Sequence, residues 1–478
     1  PLTLATNCVL EVVGTADRWL HGIVTNSGHI RVADGSKFGF LNVGSRLVNL
    51  PGALFEFMGD GTLAAYDSGP VLENRGTVRK SSGGGAALLS YRVTVENHSL
   101  VEAASGNLEL AGPFHALAGS RLEGPAEVRI GNYLAFGDTW AEDLLLTTGT
   151  VKGTGAFSGM LRWSSGGSVG PFTLATNGTL DVAGSATHNL QVGLTNRGLV
   201  VLRDNTDLAI YGANVRLVNL PDGVIDIRSD NRLLGSEQVI ENHGLVRRSA
   251  GTGTALISLG AFENHGRVEV RSGVLRFQRG LRAETGSRFE GPVEVNVSDF
   301  ILNGDTYAND LRLVGGNSIH GPGRFSGFAR WTGGYLAGQG PFSLNTNGVL
   351  ELAGTGALSL NQALTNAGVV RLTGSTSIYL SGADSRLVNL PGGLVELTGA
   401  NRVDAGGEGR RFVNQGEVRS LGTGTVAFHP SLMLENAGVI AVRRGTLKLP
   451  GDNYTDAGGT LRARLLGPGS NAVITFWQ

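Results

Sequence analysis

The sequence predicts an all-β chain folded as a right-handed parallel β-helix, a β-solenoid with coils of roughly 19–25 residues. Three observations predict it. Glycine supplies 75 of the 478 residues, a long block recurs every 170 residues, and an asparagine recurs inside each block at coil spacing.

The glycine content is more than double the roughly 7% of ordinary globular chains. The glycines do not fall at every third place, which excludes collagen, and 41% hydrophobic residues argue against disorder. Frequent tight turns between short strands account for the excess.

The long repeat is plain in the text. Pro1-Leu2-Thr3-Leu4 returns as Pro171-Phe172-Thr173-Leu174 and Pro341-Phe342-Ser343-Leu344, and RLVNLP begins at Arg46, Arg216 and Arg386. Trp163 and Trp331 end the related stretches GAFSGMLRW and GRFSGFARW. Three copies are expected, 1–170, 171–340 and a shortened, divergent 341–478, forming one continuous solenoid.

Within the copies, asparagine most often precedes one variable residue and a glycine. The series runs Asn7, Asn26, Asn49, Asn74 and Asn97; then Asn177, Asn196, Asn219, Asn242 and Asn264; then Asn347, Asn366, Asn389, Asn414 and Asn436. After many of these come period-two β-branched segments such as Val268-Glu-Val270 and Val439-Ile-Ala-Val442, a strand signature. Coils with two or three such strands advance about 4.8 Å each, so some twenty coils imply a rod on the order of 100 Å. The asparagine is expected to tolerate a left-handed turn and to stack into a ladder at one corner. The glycine two residues on is expected to supply positive φ.

The formal net charge is −1, with 39 basic and 40 acidic residues, which argues against nucleic acid as a partner. The basic pairs Arg79-Lys80, Arg247-Arg248 and Arg443-Arg444 read as solvated strand ends. No apolar run approaches the length of a membrane span. The lack of a leader and the start at a repeat boundary suggest a mature fragment of something longer. Cys8, the sole cysteine, stands where the other copies have Gly178 and Gly348, and reads as a tolerated turn residue.

Segments 73–89 (ENRGTVRKSSGGGAALL), 241–257 (ENHGLVRRSAGTGTALI) and 413–428 (VNQGEVRSLGTGTVAF) resemble the repeat units of large bacterial β-helical exoproteins, the adhesin-like and autotransporter-like surface solenoids. RWTGGYLAGQGPFSL (330–344) and NYTDAGGTLRARLLG (453–467) are similar to further units of the same proteins. The resemblance implies an extracellular or cell-surface location and a structural or adhesive role. It also implies partners among copies of the chain itself, stacked end to end into filaments, and among glycans or envelope proteins. No outer-membrane barrel, secretion domain or sorting tail accompanies it.

Polysaccharide lyases and hydrolases also use β-helices, with clustered carboxylates or bound calcium on one face. Here the acidic residues scatter over turns. The related stretches FGDTWAEDLLL and NGDTYANDLRL carry the pairs Asp138/Asp143 and Asp305/Asp310, which read as turn caps before cation or sugar ligands. His98, His243 and His265 follow ladder asparagines at a position occupied elsewhere by Ser27, Arg75, Arg197 or Gln415, which suggests exposed turn tips. No zinc spacing, nucleophile elbow or phosphate loop is present, so no catalytic, metal or cofactor residue is assigned. Trp140, Trp163, Trp331 and Tyr335 are the candidate glycan-contact aromatics, with the solenoid core as their competing location. The expected function is a non-catalytic surface rod. The alternatives are a polysaccharide-binding module and, behind it, a glycan-degrading enzyme.

Overall fold

A computed structural model describes residues 1–124, 127–146, 149–165, 168–191, 193–315, 317–338, 340–354, 356–464 and 472–478. No helix occurs among them. The chain divides into two compact units, Pro1–Ile240 and Glu241–Gln478, a division that falls inside the second sequence copy. Each unit is a β-solenoid, and the coils amount to about 21 turns.

Strands pair one coil back and one coil on. In the first unit Ile23–Asn26 pairs in parallel with Arg46–Asn49, which pairs with Val71–Asn74, then Thr94–Asn97. The next strand in the chain, His29–Val32, belongs to a second column with Leu54–Phe57, Thr77–Lys80 and Leu100–Ala103. Arg18–Leu20, Lys37–Phe40 and Thr62–Ala65 belong to a third. The second unit repeats the scheme in Ala363–Asn366, Arg386–Asn389, Arg411–Asn414 and Met433–Asn436. Period-two alternation turns every second side chain inward, so like residues stack: Val24, Leu47, Leu72 and Val95 form one buried column. Each such burial is worth about 1.5–3 kcal/mol.

All twelve asparagines from Asn26 onward, leaving aside Asn177 and Asn347, are fully buried. In the first unit, side-chain Nδ2 groups donate to the next coil's Oδ1: Asn26 to Asn49 at 2.8 Å, Asn49 to Asn74 at 2.9 Å, and Asn74 to Asn97 at 2.7 Å. Asn97 closes this run on the Ser120 hydroxyl at 2.7 Å, and Asn196 donates to Asn219 at 2.7 Å. The second unit has Asn242 on Asn264 and the run Asn366, Asn389, Asn414, Asn436. The same Nδ2 groups reach a backbone carbonyl of the next turn, as Asn74 does at Leu100. Asn7, Asn177 and Asn347 are exposed and lie outside the ladder, because Leu4, Leu174 and Leu344 take the register position facing Asn26, Asn196 and Asn366. Asn74→Ala leaves the amide of Asn49 and the oxygen of Asn97 without their side-chain partners. It is expected to cost about 2–4 kcal/mol, visible as faster hydrogen exchange in Arg46–Asn49 and Thr94–Asn97. Unchanged exchange there would remove the ladder from the list of stabilising features.

Two turn expectations need correction. None of the ladder asparagines has positive φ; among the described residues the non-glycine ones that do are Asp204, Asn205, Asn214 and Arg279. Nor do the glycines of the Asn-x-Gly corners, such as Gly28, Gly76, Gly198, Gly368, Gly416 and Gly438. They are required for a different reason. A Cβ on any of them would overlap a backbone carbonyl oxygen of the preceding coil. The corner is where stacked backbones come closest, and only a residue without Cβ fits between them.

The later part of each full copy lacks the asparagine period, and its coils are built otherwise. Long strands replace pairs of short ones: Asn107–Ala116, Glu127–Ala135, Thr139–Leu146 and Ala156–Trp163 in the first unit, Val274–Ala283, Val293–Leu302 and Arg324–Trp331 in the second. The corner is passed within the strand, with register shifts such as those at Leu110/Pro113 and Leu259/Phe262. Some of these coils are shorter than the expected range: Thr139 pairs with Phe157, 18 residues on, whereas Asn107 pairs with Glu127, 20 residues on.

Of the basic pairs, Arg443 and Arg444 are exposed as expected, but Lys80 and Arg248 are fully buried. Alternation in Thr77–Lys80 and Leu245–Arg248 turns the second basic residue inward. Lys80 Nζ donates to the carbonyls of Ser82 (2.6 Å), Gly59 and Gly83 (3.3 Å each) and pairs with Asp60 at 2.9 Å. Arg248 donates to Ser272 O at 2.8 Å and Gly253 O at 3.1 Å. The buried charge is thus neutralised by turn carbonyls that need a donor themselves.

Candidate functional site

The most distinctive surface arrangement is built twice. Gly119-Ser120-Arg121 and Gly137-Asp138-Thr139-Trp140 in the first unit have counterparts in Gly286-Ser287-Arg288 and Gly304-Asp305-Thr306-Tyr307 in the second. Parallel stacking brings Arg121, Trp140 and Ser158 into register on successive coils, and does the same for Arg288, Tyr307 and Ser326. The inward neighbours Ser120, Thr139, Ser287 and Thr306 are buried, which forces the residues between them outward.

The turns beneath the ring are held alike in both. Thr139 and Thr306 hydroxyls each donate to the carbonyl two residues back, Gly137 and Gly304, at 3.1 Å. Asp138 Oδ1 accepts from the Ala156 amide at 2.8 Å, and Asp305 Oδ1 from the Arg324 amide at 2.9 Å. The Arg121 guanidinium lies 5.3 Å from the Trp140 ring centre, and that of Arg288 lies 5.6 Å from the Tyr307 centre. Such an exposed cation–π contact is worth about 0.5–1 kcal/mol. Glu123 also holds Arg121, accepting from its Nε at 2.6 Å. In the first unit these residues line an open groove of about 380 Å³. The groove offers an aromatic face, guanidinium donors, a carboxylate and a hydroxyl, a set suited to a polar, ring-shaped ligand such as a sugar.

Trp140 is half-buried on this groove and Tyr335 is 47% exposed. Trp163 and Trp331 are fully buried and are withdrawn as glycan contacts. They occupy inward columns, Leu146–Trp163–Val182 and Leu313–Trp331–Leu352, and the Trp331 indole donates to Gly333 O at 2.9 Å. The acidic pairs separate in space: Asp138 and Asp305 cap turns, whereas Asp143 binds Arg162 and Asp310 binds Arg312. Sequence reasoning passed over Arg121, Arg288, Tyr307, Ser158 and Ser326. The signal for the two arginines was the repeated string Gly-Ser-Arg-(Leu/Phe)-Glu-Gly-Pro.

No family model, curated protein or solved structure matches the chain. Its class therefore rests on its own coils: it is a β-helical repeat protein. Among the described residues no helix is long and apolar enough to cross a membrane.

Buried titratable groups link the fold to pH. His188 is buried edge-on against Trp163, with ring centres 4.8 Å apart and Nδ1 2.9 Å from the Thr206 hydroxyl. Desolvation lowers its pKa, outweighing the backbone carbonyls of Ala186 and Trp163, which favour the cation. A depressed histidine stabilises the fold above its unfolded pKa near 6.5, and that contribution is lost as pH falls below it. Burial raises the Glu73 pKa, but hydrogen bonds from Arg75 and Arg46 together hold the carboxyl below the usual range. Its contribution is present above about 4.3 and lost on further acidification. Melting of the first unit is therefore expected to drop in two stages. His188→Leu, matching Leu358 in the third copy, should remove the first stage, which begins as pH falls through about 6.5. An undiminished drop in that variant would clear His188 of the effect.

Proposed function

We propose that the protein is a non-catalytic, secreted or cell-surface structural and adhesive solenoid of a bacterium. The supporting observation is how its outward charges are used. In both units they tie coil to coil: Arg46 to Glu73 and Glu96, Arg79 to Glu102, Arg276 to Glu294, Arg371 to Glu396. The interior is filled by apolar columns and the asparagine ladder. A chain that joins its coils through outward ion pairs and inward columns suits a load-bearing or spacing role. The test is negative-stain electron microscopy across a concentration series, paired with retention on immobilised glycans and cell envelopes. Fibres with a regular axial period, or retention on cell envelopes, support the proposal, and retention on glycans without turnover favours a polysaccharide-binding module. Release of new reducing ends from a polysaccharide panel would overturn it in favour of an enzyme.

The duplicated Arg–aromatic–Ser arrangement favours a second reading, a polysaccharide-binding solenoid. Two such arrangements on one chain would bind a polymer with avidity that a single weak site lacks. Loss of glycan retention in Trp140→Ala/Tyr307→Ala with an unchanged melt would establish that reading, and retention equal to the parent protein would dismiss it.

A further inference from the structure

Stacked coils place equivalent outward residues about 4.8 Å apart, so a residue repeated at one turn position lies over its own copy. His243 and His265 are such a repeat, each following a ladder asparagine, Asn242 and Asn264. Their rings are stacked, with centroids 4.4 Å apart and planes inclined by 16°. Glu241, two residues before His243, places Oε1 2.7 Å from His243 Nε2. One ligand atom from each of the three side chains lies within 4.8 Å of the others, and all three residues are half-buried.

We propose that Glu241, His243 and His265 bind one divalent transition-metal ion of the zinc, nickel or cobalt type. Two imidazoles and a carboxylate are the donors such borderline ions select, leaving a fourth position to water. Metal–nitrogen bonds of about 2.0–2.1 Å in a tetrahedron place the two nitrogens about 3.4 Å apart. The ring tips therefore need to converge by roughly 1 Å, which side-chain rotation supplies without moving the coils. Binding replaces the Glu241–His243 hydrogen bond with two bonds to the ion, and any proton on the ligating nitrogen leaves to solvent. The ion draws the pair together.

The other copies act as internal controls. The corresponding positions are Arg75 and His98 in the first copy, and Gln415 and Ala437 in the third. Both corners keep their ladder bonds, Asn74 to Asn97 and Asn414 to Asn436. Removing the histidines therefore leaves the coil able to form.

The test is calorimetric titration of the tag-free, chelator-treated full chain with zinc or nickel chloride, repeated on His243→Gln/His265→Ala. The expected result is one ion per chain, weakened at least about tenfold in the double variant. Cobalt absorption bands and a metal-dependent rise in melting temperature should appear in the parent protein alone. The metal-free melts of the two proteins should coincide, which separates lost binding from lost folding. Absence of binding, or equal affinity and stoichiometry in the variant, would overturn the assignment.

Discussion

Lys80→Met should open an early-melting phase in the first unit, weakening the coils around Thr77–Lys80 by about 3 kcal/mol. The side chain is fully buried and donates to three turn carbonyls as well as meeting Asp60. Asp60 is 42% exposed, so water takes over its solvation when the lysine is lost, and the ion pair itself contributes little. The cost comes chiefly from the carbonyl of Gly59, a buried residue that loses its donor, because Ser82 and Gly83 are exposed and their carbonyls are rehydrated. Lys80→Arg should retain most of the stability, because Arg248 does the same work in the second copy. The third copy is neutral on both sides, with Ala400 and Ser420 where the first has Asp60 and Lys80. The charges thus disappear together. Thermal melts resolved by hydrogen exchange are the measurement, since repeat proteins unfold in local steps. A Met variant that melts like the parent protein would show that the carbonyls find other partners.

Gly438→Ala should be at least as damaging, at about 3 kcal/mol or more, and is expected to separate the last coils from the rest of their unit. A Cβ there would overlap Gly416 O, and would lie 2.7 Å from Gln415 C and 2.9 Å from Gly416 N. All three are backbone atoms bonded into the preceding coil, so no side-chain rotation relieves the clash. Gly44→Ala is the matching control. Its Cβ would meet nothing within 4 Å and its φ is not positive, so the change should be neutral or stabilising by about 0.5 kcal/mol through reduced chain entropy. Equal losses at the two positions would mean that close coil approach is not what the corner glycines serve.

The coil architecture was legible because stacking imposes a linear periodicity that survives in the text. RLVNLP at Arg46, Arg216 and Arg386 falls on equivalent strands, and the spacing of Asn26, Asn49, Asn74 and Asn97 equals their strand register. The duplicated arrangement was half legible. Trp140, Asp138 and Asp305 stood out as unusual residues, whereas Arg121 and Ser158 look ordinary until register sets them beside the indole. The coils of the long strands were not legible, because a corner passed inside a strand carries no asparagine to mark it.

The sequence by itself determined the fold class, the repeat and the identity of the ladder residues, since each follows from spacing along one chain. The direction in which a side chain points at a strand end was decided by tertiary structure. Lys80 and Arg248 turn inward to turn carbonyls while Arg79 and Arg247 face outward, and Trp163 goes to the core while Trp140 stays on the groove. The reason for the corner glycines was decided there as well. Steric exclusion between successive coils involves atoms some twenty residues apart, and no local conformational preference reports it.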